Sequence, residues 1–364
     1  MKKILFFAAI LSVFTVTARA TVLTWTQDTS APDTSRYMFT GVSVIAGEPY
    51  VCGFDMVNGN AGVVWRKTGG VWVNIGVPSG SWLDSVTGTD VSHIWVAGNA
   101  RILFFNGTTW TQQSDAGGGE IVRIQALDFQ KLIAVGTNGL RYQTGDGGVT
   151  WVKLSNGPGN GIQRGLSANA ENDIWIGGST GSDGWTPYTS HYDGNVWTTY
   201  TMDWGSQVTG VDGFTGANIY ACGYNAKVWL FDGSGFDLIG LPTIWGDIAC
   251  RGLAVDGDGN AWVVGDRGFV QSYNCVSGLW ELQLYLDAWN KNFSAVTIDE
   301  SKIYVVGQGG IYTATGNWAP PLPPCDSNYT ADLDCDNAVT LTDFAMIARE
   351  WLVIDSNIYP LYPD

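Results

Sequence analysis

Six oxygen-bearing positions near the C-terminus carry the most specific chemical pattern in the chain. In Asp332-Leu-Asp334-Cys-Asp336-Asn337-Ala338-Val-Thr340-Leu-Thr-Asp343, acidic side chains fall at loop positions 1, 3, 5 and 12. That spacing wraps a hard cation in oxygen ligands, and calcium is the cofactor it predicts. Ala338 would give its backbone carbonyl at position 7, and Thr340 would act at position 9 directly or through water. Asn337 replaces the usual glycine, which is tolerable because asparagine visits the left-handed backbone region. Asp343 is shorter than the glutamate usual at the last position. Residues Thr342 to Leu352 read as a helix with Phe344, Ile347, Ala348 and Trp351 on one face. Cys325 and Cys335 bracket the start of the loop, and in a small exported module a disulfide is their expected use. The bland alternative is an acidic, solvated turn.

Two further sets suit ligand binding. Trp82, Trp204, Trp245 and Trp289 recur along the chain with Asp84, Asp203, Asp247 and Asn290 beside them. Flat aromatics next to carboxylates and amides suit sugar rings, which stack their apolar faces and hydrogen-bond through their hydroxyls. The same tryptophans could instead wedge between packed units. Arg123, Arg164 and Arg251 could bind an anionic group through their guanidinium forks. Exposed or mutually paired structural arginines are the alternative. His93 and His191 are the two histidines of the chain, too few for a His-based zinc site or a Ser–His–Asp arrangement. Both are expected in unremarkable surface roles, and no catalytic residue is assigned.

The elements that must position these residues appear as a repeat. A large residue, two small or β-branched ones and a glycine recur at Tyr50–Gly53, Trp95–Gly98, Ile133–Gly136, Trp175–Gly178, Tyr220–Gly223, Trp262–Gly265 and Tyr304–Gly307. The glycines are 45, 38, 42, 45, 42 and 42 residues apart, the period of propeller blades. Beyond each of the first six comes a turn glycine and then a large aromatic: Trp72, Trp110, Trp151, Trp197, Phe236 and Trp280. A β-like run precedes each landmark, as at Ile121–Leu127, so each unit holds four strands. One such sheet cannot bury its faces alone, whereas seven in a ring can. The fold class is therefore all-β: a seven-bladed β-propeller over 21–318, with a small C-terminal α-helical calcium-loop module. The last unit runs into Ala-Pro-Pro-Leu-Pro-Pro, which cannot continue a strand. Leu23–Gln27 resembles the outer strand Thr109–Gln112 and is expected to complete that blade. Cys52 and Cys222 occupy the same position of two units and read as small buried residues; Cys250 and Cys275 could pair.

The third unit ends in Thr144, Asp146, Gly148 and Trp151, the Asp-box pattern Ser/Thr-x-Asp-x-Gly-x-x-Trp. Degenerate versions occur at Asp193–Trp197 and Asn106–Trp110. The unit resembles the repeats of bacterial-neuraminidase-repeat and photosystem II assembly-factor-like propellers. The resemblance implies that Asp146 ties turn amides while Trp151 fills the blade core. It implies fold rather than hydrolysis, because the Arg-Ile-Pro motif and the Tyr–Glu pair of sialidases are absent. The C-terminal loop, with aspartate at its last position, resembles dockerin-type repeats of secreted bacterial proteins, which implies a cohesin-like partner. Only one such loop is found where cellulosomal dockerins carry two.

Lys2 and Lys3, the apolar run Ile4–Val16 and Ala18-Arg19-Ala20 form a signal peptide over 1–20. No later run is apolar for long enough to span a bilayer. A Pro-rich linker occupies 319–324, the dockerin-like loop and helix 325–354, and a tail 355–364. A formal charge of −16 excludes nucleic acid as a partner. These features predict a secreted recognition or scaffold protein, extracellular or periplasmic and bacterial. The propeller face would bind a glycan or protein, and the calcium module would attach to an extracellular partner. The alternative is a polysaccharide-active glycosidase or lyase with channel-facing carboxylates such as Asp84, Asp203 or Asp247. An assembly factor for a membrane complex is a third possibility, on family analogy alone.

Overall fold

The computed structural model describes residues 23–114, 119–154, 161–180, 186–202, 206–214, 217–241, 248–299 and 302–315. The signal segment, the linker, the calcium loop with its helix, the Cys325 and Cys335 pairing and the tail lie outside the described residues. Trp204, Trp245, Asp203 and Asp247 also lie outside them. No helix among the described residues is long and apolar enough to cross a membrane.

The described chain forms seven four-stranded antiparallel sheets. Their inner strands, blades 1 to 7, are Tyr37–Ile45, Ser85–Asp90, Ile121–Ala126, Ile162–Ala170, Val208–Phe214, Cys250–Val255 and Phe293–Asp299. Each inner strand neighbours the next, and that of blade 7 returns to that of blade 1, so the ring closes. The second strands, such as Leu132–Gly136 and Ala261–Gly265, are buried throughout because adjacent blades cover both of their faces. Hence they read as continuous apolar runs rather than as alternation. The cores accordingly lie between blades: Tyr50, Cys52 and Val64 of blade 1 pack on Val86, Ile94, Val96 and Leu103 of blade 2.

The repeat glycine has a steric cause. Gly136 pairs with Ile121 on the inner strand, and a Cβ there would lie 1.8 Å from the Glu120 carbonyl oxygen. The corresponding approach is 1.9 Å at Gly265 to Ala249 and 2.2 Å at Gly307 to Asn292. No side chain fits. Directly after this contact the inner strand bulges, with register shifts at Phe39/Gly41, Ile121/Arg123, Gln163/Gly165, Val208/Gly210, Cys250/Gly252 and Phe293/Ala295. The extra residue is Thr40, Val122, Arg164, Thr209, Arg251 or Ser294, and such bulges re-aim side chains. In blade 2, Asp84 donates its N–H to Ala97, the residue already paired with Ser85, so Asp84 takes the same place. Two of these bulges stitch the ring: Thr40 Oγ1 donates to Leu83 O at 2.5 Å and Thr209 Oγ1 to Cys250 O at 2.7 Å.

Closure joins the chain's N-terminal side to its last blade. Thr24–Gln27 pairs antiparallel with Gly310–Thr315, setting Trp25 opposite Ala314 as the outermost strand of blade 7. Elsewhere an outer-strand tryptophan donates to the residue just past the preceding blade's outer strand: Trp110 to Ile75 O and Trp280 to Ile239 O. Trp72 of blade 1 does likewise, its Nε1 donating to Asp28 Oδ2 at 2.8 Å, while Lys67 pairs with the same carboxylate at 2.5 Å.

In the outer turn of blade 3, Asp146 accepts hydrogen bonds from Thr150 N and Oγ1 and from Thr144 Oγ1, while Trp151 packs on the core between blades 2 and 3. Cys52 and Cys222 are buried free thiols, pushed up to about 12 chiefly by burial. Cys250 and Cys275 are also free, so the pairing open to them in sequence is not made. His191 departs from its expected surface role. It stacks on Trp175 at 4.2 Å and bonds Asp173 at 2.7 Å, because strand pairing sets it directly opposite that ring.

Candidate functional site

The seven inner strands surround a channel of about 310 Å³. Its wall is mostly small: Gly41, Ser85, Gly165, Gly210, Gly252 and Ala295 each follow a bulge and leave the lumen open. Arg123 stands at that position in blade 3, and Arg164 and Arg251 occupy the bulges of blades 4 and 6. The structure thus brings all three arginines to one channel with Asp84, although Arg123 is offset by one residue from the other two.

Their bonding differs. Arg251 Nε donates to Asp266 Oδ1 at 2.6 Å, so its charge is matched. Among the described residues the Arg123 side chain makes one hydrogen bond, from Nη1 to the neighbouring Val122 O at 3.0 Å. Arg164 makes none among the described residues, and its Nε is enclosed without a partner. Each guanidinium carries five donors in a fixed fork, so blades 3 and 4 present cations whose donors are largely unspent. Burial holds the Arg123 guanidinium below its ordinary range; Asp84 opposes that shift and Arg164 reinforces it.

Asp84 forms no ion pair among the described residues, and its carboxyl is pushed up to about 6. Burial is the main cause and Glu120 adds to it, while Arg123, Arg164 and the Trp82 side chain oppose. The Asp84 side chain is half-buried in the channel wall, yet the ring encloses it, and enclosure outweighs that exposure. A carboxyl raised in the folded state stabilises the fold below its unfolded pKa and loses that contribution as pH rises through the folded value. Asp84→Asn should therefore gain on wild type by about 1–3 kcal/mol between pH ~4 and pH ~7. Urea unfolding across that range checks this, and a constant difference between the two proteins would contradict it.

The second channel carboxylate is structural. Asp212 accepts from Ser167 Oγ at 3.0 Å and from the Val255 N–H at 2.8 Å, linking blades 4, 5 and 6. Trp82 precedes the inner strand of blade 2 and lies beside Asp84. Trp289 does not wedge between blades: it is 71% exposed, with the Arg267 guanidinium 3.6 Å from its ring. Sequence spacing pointed to the arginines but not to Asp84's membership of the same bulge column. The signal was present, since Asp84, Arg164 and Arg251 all lie 14 residues before their repeat glycines.

No protein-family model matches the chain, and no curated protein matches it. Solved structures do resemble it in fold. The chain is similar to a structure of YCF48 bound to D1 peptide, at 15% identity and TM-score 0.61, covering 82% of this chain and 96% of that one. It is similar to the WD40 β-propeller domain of Doa1, at 13% identity and TM-score 0.63, covering 81% and 98%. It is also similar to virginiamycin B lyase from Staphylococcus aureus, at 12% identity and TM-score 0.57, covering 80% and 98%. At these identities the likeness establishes the propeller fold alone.

Proposed function

We propose that the protein is an exported, non-enzymatic recognition propeller whose channel arginines seat an anionic group of an extracellular glycan or protein. The observation that carries this reading is the pair Arg123 and Arg164, enclosed in the ring with most of their donors unspent among the described residues. Buried cations are normally paired, and these two form no ion pair among the described residues, Asp84 acting on them without a direct bond, so they favour a ligand that brings its own negative charge. The solved YCF48 structure, a propeller of the same fold, holds a peptide, which supports a protein partner. The C-terminal module adds attachment in this reading. Asp332, Asp334, Asp336, Ala338, Thr340 and Asp343 would hold calcium, Cys325 and Cys335 would brace the loop, and a cohesin-like partner would dock on it. The signal segment would deliver the protein to the periplasm or the exterior.

The test is an array of glycans and of peptides with free C-termini, probed with wild type and Arg164→Gln. Anionic members should bind and weaken about 10–100-fold in the variant, the loss of one charge-assisted contact. An array without anionic binders would overturn the reading. One observation favours a second reading, a polysaccharide-active enzyme: Asp84 holds its proton to higher pH than an ordinary carboxyl, with Glu120 close enough to influence it. Shortening of array glycans during incubation would move the assignment there.

A further inference from the structure

Between blades 2 and 3 lies a second cavity, a groove of about 530 Å³ lined by His93, Trp95, Phe104, Gln112, Phe129 and Gln130 among others. The turn carrying Phe129 and Gln130 follows the inner strand of blade 3, which carries Arg123 near its start. The groove therefore opens at the other end of the ring. Its cause is a short neighbour: the outer strand of blade 3 is Val152–Lys153, two residues. In blade 4 the counterpart of Trp95 is Trp175, which Tyr200 of its own blade and Phe231 and Phe236 of blade 5 cover. Blade 3 sets Trp151, the counterpart of Phe236, against the same core, but it has Thr144 where blade 5 has Phe231, so its cover for blade 2 is thinner. Trp95 forms a buried floor beside Phe104 at 5.1 Å, and Phe129, 55% exposed, forms the lip with Val149.

The polar groups of the groove divide by what remains free. Gln113 is spent at both ends, accepting from Trp95 Nε1 and donating to Gly147 O. His93 is tied to Asp90 at 2.8 Å, and Asp146 accepts three bonds within its own turn. The side chains of Thr111, Gln112 and Gln130 have no partner among the described residues. What the groove offers is an exposed aromatic ring beside neutral groups that both donate and accept, with one lining carboxylate, Asp146, engaged by Thr144 and Thr150 of its own turn. That combination matches a sugar ring, apolar on its C–H face and hydroxylated at its edge.

We infer that this groove binds a neutral saccharide, its ring lying on Phe129 and its hydroxyls meeting Gln112 and Gln130. An anionic sugar is disfavoured by the neighbouring carboxylates Asp90 and Asp146, and both are engaged by groups of the protein itself, which leaves the neutral amides as the polar contacts on offer.

The experiment is saturation-transfer NMR with cellohexaose, xylohexaose, mannohexaose and maltohexaose as probes, and a neutral hexapeptide as comparison. At least one sugar should receive saturation at its ring C–H protons with millimolar affinity. Phe129→Ala should weaken it by at least about tenfold, the scale of one aromatic contact. The double variant Gln112→Ala/Gln130→Ala should weaken it by about fivefold or more. Val276→Ala, an exposed turn residue of blade 6, should leave it unchanged. Because Phe129 sits on an exposed turn, its variant should melt with wild type, which separates lost binding from lost folding. Saturation of none of the four sugars, transfer to the peptide alone, or binding unaltered in Phe129→Ala would each overturn the assignment.

Discussion

Removal of residues 23–30 is expected to lower the melting temperature by about 10–20 °C. The deletion strips the outer strand from blade 7 and withdraws Trp25 from a cluster that includes Val305 and Ala314. It also removes Asp28, which ties that strand to Lys67 and Trp72 of blade 1. Loss of a large packed aromatic costs about 3 kcal/mol, and loss of the charged tie adds about 1–3 kcal/mol. At roughly 2–4 °C per kcal/mol in a domain this large, the sum reaches that range. An exposed edge at Gly310–Thr315 should also promote association between molecules. Calorimetry on the two proteins checks the effect. A melt within a degree or two of wild type would mean that the ring holds without its clasp.

Gly136→Ala is expected to cost about 3 kcal/mol or more, a large effect for one methyl group. The new Cβ would meet the Glu120 carbonyl at 1.8 Å and Ile121 Cα at 3.0 Å, both backbone atoms that cannot rotate away. Relief requires the inner strand of blade 3 to move, and that strand carries the bulge that aims Arg123 into the channel. Stability and anion binding should therefore fall together. Gly145→Ala is the control, because no atom lies within 4 Å of its Cβ position and its backbone is not left-handed. It should stay within about 0.5 kcal/mol of wild type. If denaturant unfolding shows the two variants alike, close backbone approach is not why the glycine recurs.

Much of the fold was legible because each blade repeats the same physical constraint. The second strands read as apolar runs ending in glycine since both of their faces are covered and their last residue meets a carbonyl. The clasp was legible because Thr24–Gln27 has the composition of an outer strand and the seventh unit lacked one. The site was legible only in part. Spacing placed Arg123, Arg164 and Arg251 near one another, but which of them is matched depends on contacts between elements far apart in sequence, such as Arg251 with Asp266. Asp84 was grouped with Trp82 by adjacency and read as channel-facing in the enzyme alternative, where the structure places it, but its place among the arginines follows from the bulge, which has no signature of its own in one unit. The groove beside Phe129 was invisible to periodicity, because it arises where blade 3 departs from the repeat with a two-residue outer strand. His191 likewise gave no sign of stacking, since its partner ring is set by strand register.

The channel as an anion seat is most directly tested by calorimetric titration of a short oligogalacturonate and of a peptide with a free C-terminal carboxylate into wild type and Arg123→Gln/Arg164→Gln. Titrations at about pH 5 and about pH 7.5 bracket the Asp84 carboxyl at about 6. Protonating Asp84 removes a negative group that acts on both arginines, so at least one probe should bind wild type more tightly at the lower pH. The double variant should bind neither. Affinity that is equal in wild type and variant, or that falls on acidification, would contradict the assignment of the channel as the recognition site.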